Sequence, residues 1–253
     1  MTTRILVSND DGIYATGLKA LVEAVTPLGE VWVVAPETEQ SASSHSLSLH
    51  RPLRIRQHAE RWFGIDGTPA DCVYLAFHHL MKDAGPTLVL SGINRGANLA
   101  EDVIYSGTVA AAMEGSLLGI PSIAFSLATR RVFDYAHSAV FAHALVKAAL
   151  AHPLPKQMLL NVNIPPAPLP GYAVTRLGRH TYMGGVIEKE DPRGRKYYWI
   201  GGTGYEHVSA PGTDCTVVHE QKQISVTPLM LNLTDATFLG PLQQWKLEGF
   251  PQV

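Results

Sequence analysis

Two adjacent carboxylates follow an apolar segment near the start of the chain. Ile5-Leu6-Val7 predicts a buried strand, and Ser8-Asn9-Asp10-Asp11-Gly12 follows it directly. Neighbouring carboxylates repel each other and are poorly solvated at the end of a buried strand, so a positive charge is needed to hold them together. A divalent cation is the simplest candidate, because hard cations prefer carboxylate oxygen. The alternative is an acidic turn leading into a helix, since Asn, Asp and Gly are common turn residues.

A second candidate segment leaves another predicted strand and runs from Ser91 to Asn98, with two glycines and two asparagines. Glycine allows the backbone to approach a ligand closely. The side-chain carbonyl of Asn94 is a neutral oxygen donor that can join two carboxylates around Mg²⁺ or Mn²⁺. The alternative is a pair of asparagines that only form turns.

A third segment, Tyr105-Ser106-Gly107-Thr108, opens an alanine-rich helix. The free N–H groups and positive dipole end of a helix start can bind phosphate, and the two hydroxyls add donors. The alternative is N-capping by Ser106 or Thr108 alone. The sequence contains no G-x-x-x-x-G-K-[ST] motif and no G-x-G-x-x-G after the first strand, which excludes a P-loop and a dinucleotide fingerprint.

A serine-rich segment from Glu37 to Ser46 supplies further hydroxyls but no nucleophile elbow. Ser41 is a candidate metal ligand and His45 a candidate substrate contact. The alternative is that these residues only solvate a loop. The other histidines lack ligand spacing, and we assign them no role.

The composition is that of a globular protein. The chain has 253 residues, of which 46% are hydrophobic and 17% charged, with a net charge of -2. Without a basic run, a stable nucleic-acid partner is not expected. Cys72 and Cys215 are far apart and outside any C-x-x-C motif, which is typical of a reducing compartment and does not suggest a thiolate metal site. The sequence shows no signal peptide and no apolar stretch that would cross a bilayer, so we expect a cytoplasmic protein without membrane association.

Strands and helices alternate in the first two thirds of the chain. Strands are predicted at 5–8, 31–35, 87–91, 122–126 and 159–162, hairpin strands near 53–55 and 62–65, and helices from 17, 68, 108 and 135. This order predicts an α/β fold with a mostly parallel sheet, helices on both faces and ligands at the carboxyl ends of strands. The loops at Asp10/Asp11, 36–46 and 92–107 are therefore expected to meet.

The pattern changes after the proline-rich segment at 165–170, where helical periodicity gives way to glycines, aromatics and alternating residues. We predict an α/β catalytic core at 1–165 and a β-hairpin-rich C-terminal extension at 166–253, packed on the same domain and serving oligomerisation. A short final helix is predicted near Leu242 to Leu247.

Several of these segments together resemble the SurE (survival protein) family of metal-dependent nucleotidases. The resemblance extends in order along nearly the whole chain. It is carried by Ser8-Asn9-Asp10-Asp11-Gly12, Val34-Ala35-Pro36, Gln40-Ser41, Gly67-Thr68-Pro69-Ala70-Asp71-Cys72-Val73, Ser91-Gly92-Ile93-Asn94, Gly96, Asn98, the segment 102–115, Asp191-Pro192-Arg193-Gly194, Tyr198-Trp199-Ile200-Gly201, Gly212-Thr213-Asp214 and Ile224-Ser225-Val226-Thr227-Pro228-Leu229.

The resemblance implies a Rossmann-like core and hydrolysis of nucleoside 5′- and 3′-monophosphates to nucleoside and phosphate. One divalent ion per subunit, Mg²⁺ or Mn²⁺, is implied, with catalysis by the aspartate pair and assembly into homodimers or homotetramers partly through exchanged C-terminal segments. The implied metal ligands are Asp10, Asp11, Ser41 and Asn94, and the implied phosphate contacts are Asn98, Ser106, Gly107 and Thr108.

The chain departs from the family pattern near the implied substrate. Ala42 stands where the family often has glycine, and His45 where asparagine is frequent, which puts substrate preference in doubt more than the metal site. Thr16 replaces a usual proline, and no effect is expected from it.

Two other functions are considered. An aspartyl-phosphate phosphatase of the haloacid dehalogenase type would use an Asp as nucleophile. That class usually spaces its two aspartates by one residue, whereas here they are adjacent. A non-catalytic nucleotide-binding protein is the other alternative, although binding a phosphate anion needs no extra carboxylates.

Overall fold

The computed structural model describes residues 2–129, 131–152, 154–166, 171–201 and 205–246. Its strands are β1 (Arg4–Ser8), β2 (Glu30–Pro36), β3 (Ile55–Ala59), β4 (Trp62–Ile65), β5 (Leu88–Arg95), β6 (Ser122–Leu127), β7 (Met158–Ile164), β8 (Tyr172–Val174), β9 (His180–Tyr182), β10 (Val186–Glu190), β11 (Lys196–Ile200), β12 (Tyr205–His207) and β13 (Ile224–Met230). Its α-helices are α1 (Thr16–Val25), α2 (Pro69–Leu75), α3 (Gly107–Leu117), α4 (Ala136–Ala151), α5 (Asp214–His219) and α6 (Leu239–Gln243).

A mostly parallel sheet forms the centre of the fold, as the alternation of strands and helices predicts. Its strand order is β3-β4-β2-β1-β5-β6-β7-β13-β8. The strands β4, β2, β1, β5, β6 and β7 are mutually parallel, whereas β3 and β13 run antiparallel to their neighbours β4 and β7. The sheet order brings the carboxyl ends of β2, β1 and β5 side by side.

Helices cover both faces of this sheet, because successive side chains of a strand point to opposite faces. Ile5 and Val7 of β1 pack in one apolar cluster with α1 and α4, whereas Leu6 packs in another with α2 and α3. Both faces of β1 are therefore covered by apolar side chains.

Local sequence signals set the start of α2. The Thr68 hydroxyl accepts a hydrogen bond from the Asp71 N–H, and the Asp71 carboxylate accepts one from the Thr68 N–H. These two bonds form a capping box, with Pro69 at the first helical position, at the place where a helix is predicted to begin.

β5 extends further than predicted, since it continues to Arg95 and does not end at Ser91. Its register with β6 shifts between Ser91 and Asn94. Gly92 lies there with a φ of +126°, and a Cβ at this position would lie 2.3 Å from the backbone oxygen of Phe125. Glycine thus lets the strand pass through an irregularity and resume pairing, so that Asn94 lies on the strand and not in a loop.

The C-terminal segment contributes both to the central sheet and to separate hairpins. β13 and β8 extend the sheet beyond β7, whereas β10 and β11 form a two-stranded sheet whose residues are all exposed. The final helix α6 begins at Leu239, three residues before the predicted start, and Leu247 of that prediction lies outside the described residues. The division at residue 165 stays a prediction. Among the helices that the structure describes, none is both long and apolar enough to cross a membrane.

Candidate active site

The three loops that were expected to meet line one cavity of about 590 Å³. They come from the carboxyl ends of β1, β2 and β5, and the start of α3 closes the same cavity. The lining residues are Asp10, Asp11, Glu39, Ser41, Ala42, Asn94, Arg95, Ala97, Asn98, Asp102, Tyr105, Ser106, Thr129 and Phe133. The cavity thus brings together all four predicted metal ligands and, of the predicted phosphate contacts, Asn98 and Ser106.

Asp10 is a buried carboxylate, with 6% of its surface exposed. Both the hydroxyl and the backbone N–H of Thr108 donate hydrogen bonds to it, and the hydroxyl lies 2.5 Å from Oδ1. Burial raises the pKa of Asp10 to about 6, against the lowering effect of the Thr108 hydroxyl and with a further increase from the Asp11 charge. The folded protein therefore holds a carboxylate that a nearby cation would stabilise.

Asp11 lies beside Asp10 and is partly exposed. Its Oδ2 accepts a hydrogen bond from the backbone N–H of Arg95 at 3.1 Å. Burial raises the pKa of Asp11, and the Arg95 N–H and guanidinium charge only partly oppose that shift. Both aspartates are thus short of positive charge, which favours a bound cation over a simple acidic turn.

The other two predicted ligands provide neutral oxygens. The Nδ2 group of Asn94 donates to the backbone oxygen of Gly96 at 3.0 Å, which leaves the side-chain carbonyl as the free end of the amide. The exposed Ser41 hydroxyl donates to Glu39 Oε1 at 2.6 Å. Glu39 and Asp102 are two further carboxylates that line the cavity. Sequence reasoning missed Glu39, whose position in an exposed polar segment gave no signal.

The donor set fits a hard divalent cation. Two carboxylates, one amide carbonyl and one hydroxyl offer only oxygen, which Mg²⁺ and Mn²⁺ prefer. Within the described ranges, no three His, Cys, Asp or Glu side chains are grouped so that they could hold a metal ion. A site here therefore has to use the neutral oxygens of Asn94 and Ser41 beside the aspartate pair.

The start of α3 combines helix capping with the cavity wall. The Ser106 hydroxyl accepts a hydrogen bond from the Val109 N–H, so Ser106 is the N-cap of α3, and it also lines the cavity. Thr108 is fully buried and does not line the cavity, and its hydroxyl donates to Asp10. A Cβ on Gly107 would lie 2.8 Å from the Cβ of Asp10, so glycine lets the helix start approach the aspartate. Phosphate contacts by these residues stay predictions.

Asn98 is held by two asparagines of β7 that sequence reasoning missed. The Asn98 N–H donates to Asn163 Oδ1 at 2.8 Å, and its carbonyl oxygen accepts from the Nδ2 groups of Asn163 at 2.9 Å and Asn161 at 2.8 Å. The Asn98 side-chain nitrogen donates to Ser126 Oγ at 2.8 Å. A signal existed, since Asn161 and Asn163 alternate in an otherwise apolar strand and must share one face.

The C-terminal segment supports the loop that follows Asn98. Asp214, at the start of α5, is fully buried. Its Oδ2 accepts from the Ala100 N–H at 2.9 Å, and its Oδ1 accepts from the Gly178 N–H at 2.7 Å. Nearby, Glu101 Oε2 accepts from the His180 N–H at 2.9 Å. The extension is therefore part of the framework behind the cavity.

The serine-rich loop has a constrained backbone beside Ser41. Ala42 and Ser44 have φ angles of 57° and 54°. The left-handed region costs a residue with a Cβ roughly 1–2 kcal/mol, and glycine largely avoids that cost. Glycine, which the family resemblance implies at position 42, would adopt this φ angle more readily than the alanine of this chain.

Comparisons with known proteins identify the family and the fold. The family model described as survival protein SurE matches residues 5–184. The 5′-nucleotidase SurE of Myxococcus xanthus is 65% identical over 98% of this chain and 95% of that protein. The 5′-nucleotidase SurE of Vibrio cholerae is 50% identical over 97% of this chain and 98% of that protein. A crystal structure of the SurE protein from Aquifex aeolicus matches with a TM-score of 0.85 and 41% identity, covering 95% of this chain and 98% of that one.

Proposed function

The chain belongs to the survival protein SurE family, and we propose that it is a divalent-metal-dependent phosphomonoesterase that hydrolyses nucleoside 5′- and 3′-monophosphates to nucleoside and phosphate. The observation that carries this proposal is the aspartate pair. Two carboxylates with raised pKa values lie in one cavity with the neutral oxygen donors Asn94 and Ser41 and with the start of α3.

The metal site consists of Asp10, Asp11, Ser41 and Asn94, with one Mg²⁺ or Mn²⁺ per subunit. When bound, such an ion neutralises phosphate charge and polarises the phosphorus for attack. The aspartates also carry the proton transfer: one of them accepts a proton from the attacking water. Thr108 orients Asp10 for this task, because its hydroxyl and N–H fix the carboxylate against α3.

The phosphate binds beside the aspartates, at the start of α3. Asn98 and Ser106 line the cavity, and Gly107 and Thr108 begin a helix of 11 residues whose positive end favours an anion. These groups position the substrate and stabilise its charge, which is most of what phosphoryl transfer requires from a protein.

The cavity also offers aromatic side chains to a nucleoside. Tyr105 and Phe133 line it and are 61% and 38% exposed. The Arg95 guanidinium carbon lies 5.6 Å from the centre of the Phe133 ring. An exposed aromatic rim suits stacking against a base without fixing which base is bound.

The two alternative functions are not favoured. The relatives named above are nucleotidases, and adjacent aspartates do not match the spacing of the haloacid dehalogenase type. A protein that only binds nucleotides has no need for two poorly solvated carboxylates beside its phosphate-binding site. Trapping of a phosphoenzyme on Asp10 or Asp11 would revive the first alternative, and tight nucleotide binding without turnover the second.

A substrate and metal panel tests the proposal. Phosphate release is measured for nucleoside 5′- and 3′-monophosphates and for a sugar phosphate, in chelator and after addition of Mg²⁺, Mn²⁺, Ca²⁺ or Zn²⁺. We expect release from the nucleotides with Mg²⁺ or Mn²⁺ and none in chelator. Equal release in chelator, or release from the sugar phosphate alone, would contradict the proposal.

Association into a homodimer or homotetramer is a further part of the proposal. The hairpin of β10 and β11 exposes large apolar side chains, and Trp199 and Ile200 are 62% and 95% exposed. Apolar side chains grouped on an exposed hairpin are typical of an interaction surface. We further propose that residues 1–165 form the catalytic core and that residues 166–253 form an extension that serves assembly. We also propose that the protein acts in the cytoplasm.

The substitution Ile200→Asp tests this assembly. Burying an isoleucine side chain in an interface contributes about 1.5–3 kcal/mol to the free energy of association, so we expect the variant to associate at least about tenfold more weakly. Light scattering should then report a lower molar mass for the variant than for the wild type. Lys189→Asp, on the same hairpin, is the control, because it adds negative charge at an exposed polar position. An unchanged mass for Ile200→Asp would show that this hairpin is not the interface.

A further inference from the structure

His45 contacts a buried carboxylate behind the site and is not part of the cavity wall. Its Nε2 lies 2.7 Å from Oε2 of Glu114, and it is absent from the residues that line the cavity. The hypothesis that His45 contacts the substrate therefore has no geometric support. Its contact with Glu114 instead joins the serine-rich loop to α3, the helix whose start is proposed to bind the phosphate.

Glu114 needs such a partner because it lies inside the fold. It is 5% exposed and sits on α3 among small, mostly apolar residues, two turns after the helix start. Burying a carboxylate without a partner is costly, whereas a hydrogen-bonded partner offsets much of that cost. The imidazole of His45 is the group that the structure places against it, and the contact spans 69 residues of sequence.

The loop that carries His45 is attached to the site at several other points. The Gln40 N–H donates to the backbone oxygen of Asp10 at 2.7 Å. The Ser44 N–H donates to the backbone oxygen of Tyr105 at 3.0 Å, and the Ser44 hydroxyl donates to the backbone oxygen of Ile104 at 2.8 Å. Ala42 and Ser44 hold left-handed φ angles that persist only when surrounding contacts impose them. The His45–Glu114 contact is the link in this set that involves a carboxylate.

We propose that His45 is a positioning residue for cation binding. Its hydrogen bond to Glu114 holds the serine-rich loop against α3, so that Ser41, four residues earlier, lies beside the aspartate pair. The proposal rests on the proposed function, since it takes the cation site as given. It assigns to the pair His45–Glu114 a role in metal affinity and none in contacting the substrate.

Two substitutions of His45 test the proposal, one that keeps a donor at the position of Nε2 and one that removes it. The amide nitrogen of a glutamine reaches about as far as imidazole Nε2, whereas an alanine has no hydrogen-bonding group. Binding of Mn²⁺ alone to the full chain is measured by calorimetry for His45→Gln and His45→Ala. We expect the Ala variant to bind about tenfold more weakly, as loss of a residue that orients metal ligands typically does, and the Gln variant to remain close to the wild type.

A second measurement reports on the loop without metal. Amide hydrogen exchange of residues 41–46 in the metal-free protein should be faster in His45→Ala than in His45→Gln. His207→Ala is the matched control, because His207 Nε2 contacts Glu220 at 2.8 Å and neither residue lines the cavity. It should change neither Mn²⁺ affinity nor the exchange of the loop.

The outcomes separate this proposal from the function on which it rests. Equal Mn²⁺ affinity and equal exchange in His45→Ala and the wild type would overturn the role of His45. The same holds if His45→Gln loses as much affinity as His45→Ala, since a donor at the position of Nε2 would then be irrelevant. If the wild type itself binds no Mn²⁺, the cation site and the proposed function fail together.

Discussion

Asp10→Asn abolishes metal-dependent phosphate release, with a loss of at least about 10²–10³-fold in kcat. The amide keeps the size of the carboxylate and can still accept the Thr108 hydrogen bond, but it removes the charge that would hold a cation beside Asp11. Initial rates of phosphate release from a nucleoside monophosphate, with Mn²⁺ or Mg²⁺ in excess, measure this loss.

Stability separates this loss from misfolding. Burial raises the pKa of Asp10, so the charged form is unfavourable in the metal-free fold, and we expect the Asn variant to unfold at no lower denaturant concentration than the wild type. Asp83→Asn serves as the control, since Asp83 is exposed and does not line the cavity. Full activity in Asp10→Asn would show that the metal assignment is wrong.

Asn163→Ala is expected to lower both stability and activity. The substitution removes two hydrogen bonds to the Asn98 backbone and leaves the Asn98 N–H buried without its partner. An unpaired buried group costs about 1–3 kcal/mol, which urea unfolding would measure. Since displacement of a positioning group by about 1 Å can cost up to 10²-fold, we expect kcat/KM to fall by roughly ten- to a hundredfold.

Asn161→Ala provides the graded comparison. It removes one hydrogen bond to the Asn98 carbonyl oxygen, which still accepts from Asn163. We therefore expect a smaller loss of stability and of kcat/KM than in Asn163→Ala. Equal activity in all three proteins would mean that the position of Asn98 does not depend on β7.

Most elements of the fold follow from local sequence patterns. Apolar runs such as Val31 to Ala35 become buried strands, and the Thr68–Asp71 capping box starts α2 at the expected residue. These signals are readable because each depends on residues a few positions apart. β5 is the exception, since Gly92 suggests a strand end locally while pairing with β6 carries the strand on to Arg95.

The candidate site, too, was partly predictable from local sequence patterns. Paired aspartates at a strand end, asparagines after a second strand and hydroxyls at a helix start could be identified as candidates from the sequence, and alternation of strands and helices predicts that their loops meet. The predicted α/β architecture is confirmed, whereas the roles of the individual residues stay predictions.

The supporting contacts were decided by the tertiary structure alone. Asn98 pairs with Asn163 across 65 residues, Ala100 with Asp214 across 114, and Thr108 with Asp10 across 98. Such partners depend on the order of strands in the sheet and on how closely α3 approaches β1, and no local pattern encodes either. The sequence by itself therefore determined which candidate residues follow the strands and start the helix at the cavity. Only the tertiary structure decided which groups orient their side chains and how far their pKa values shift, because burial and hydrogen bonding between distant segments exist only once the chain has folded.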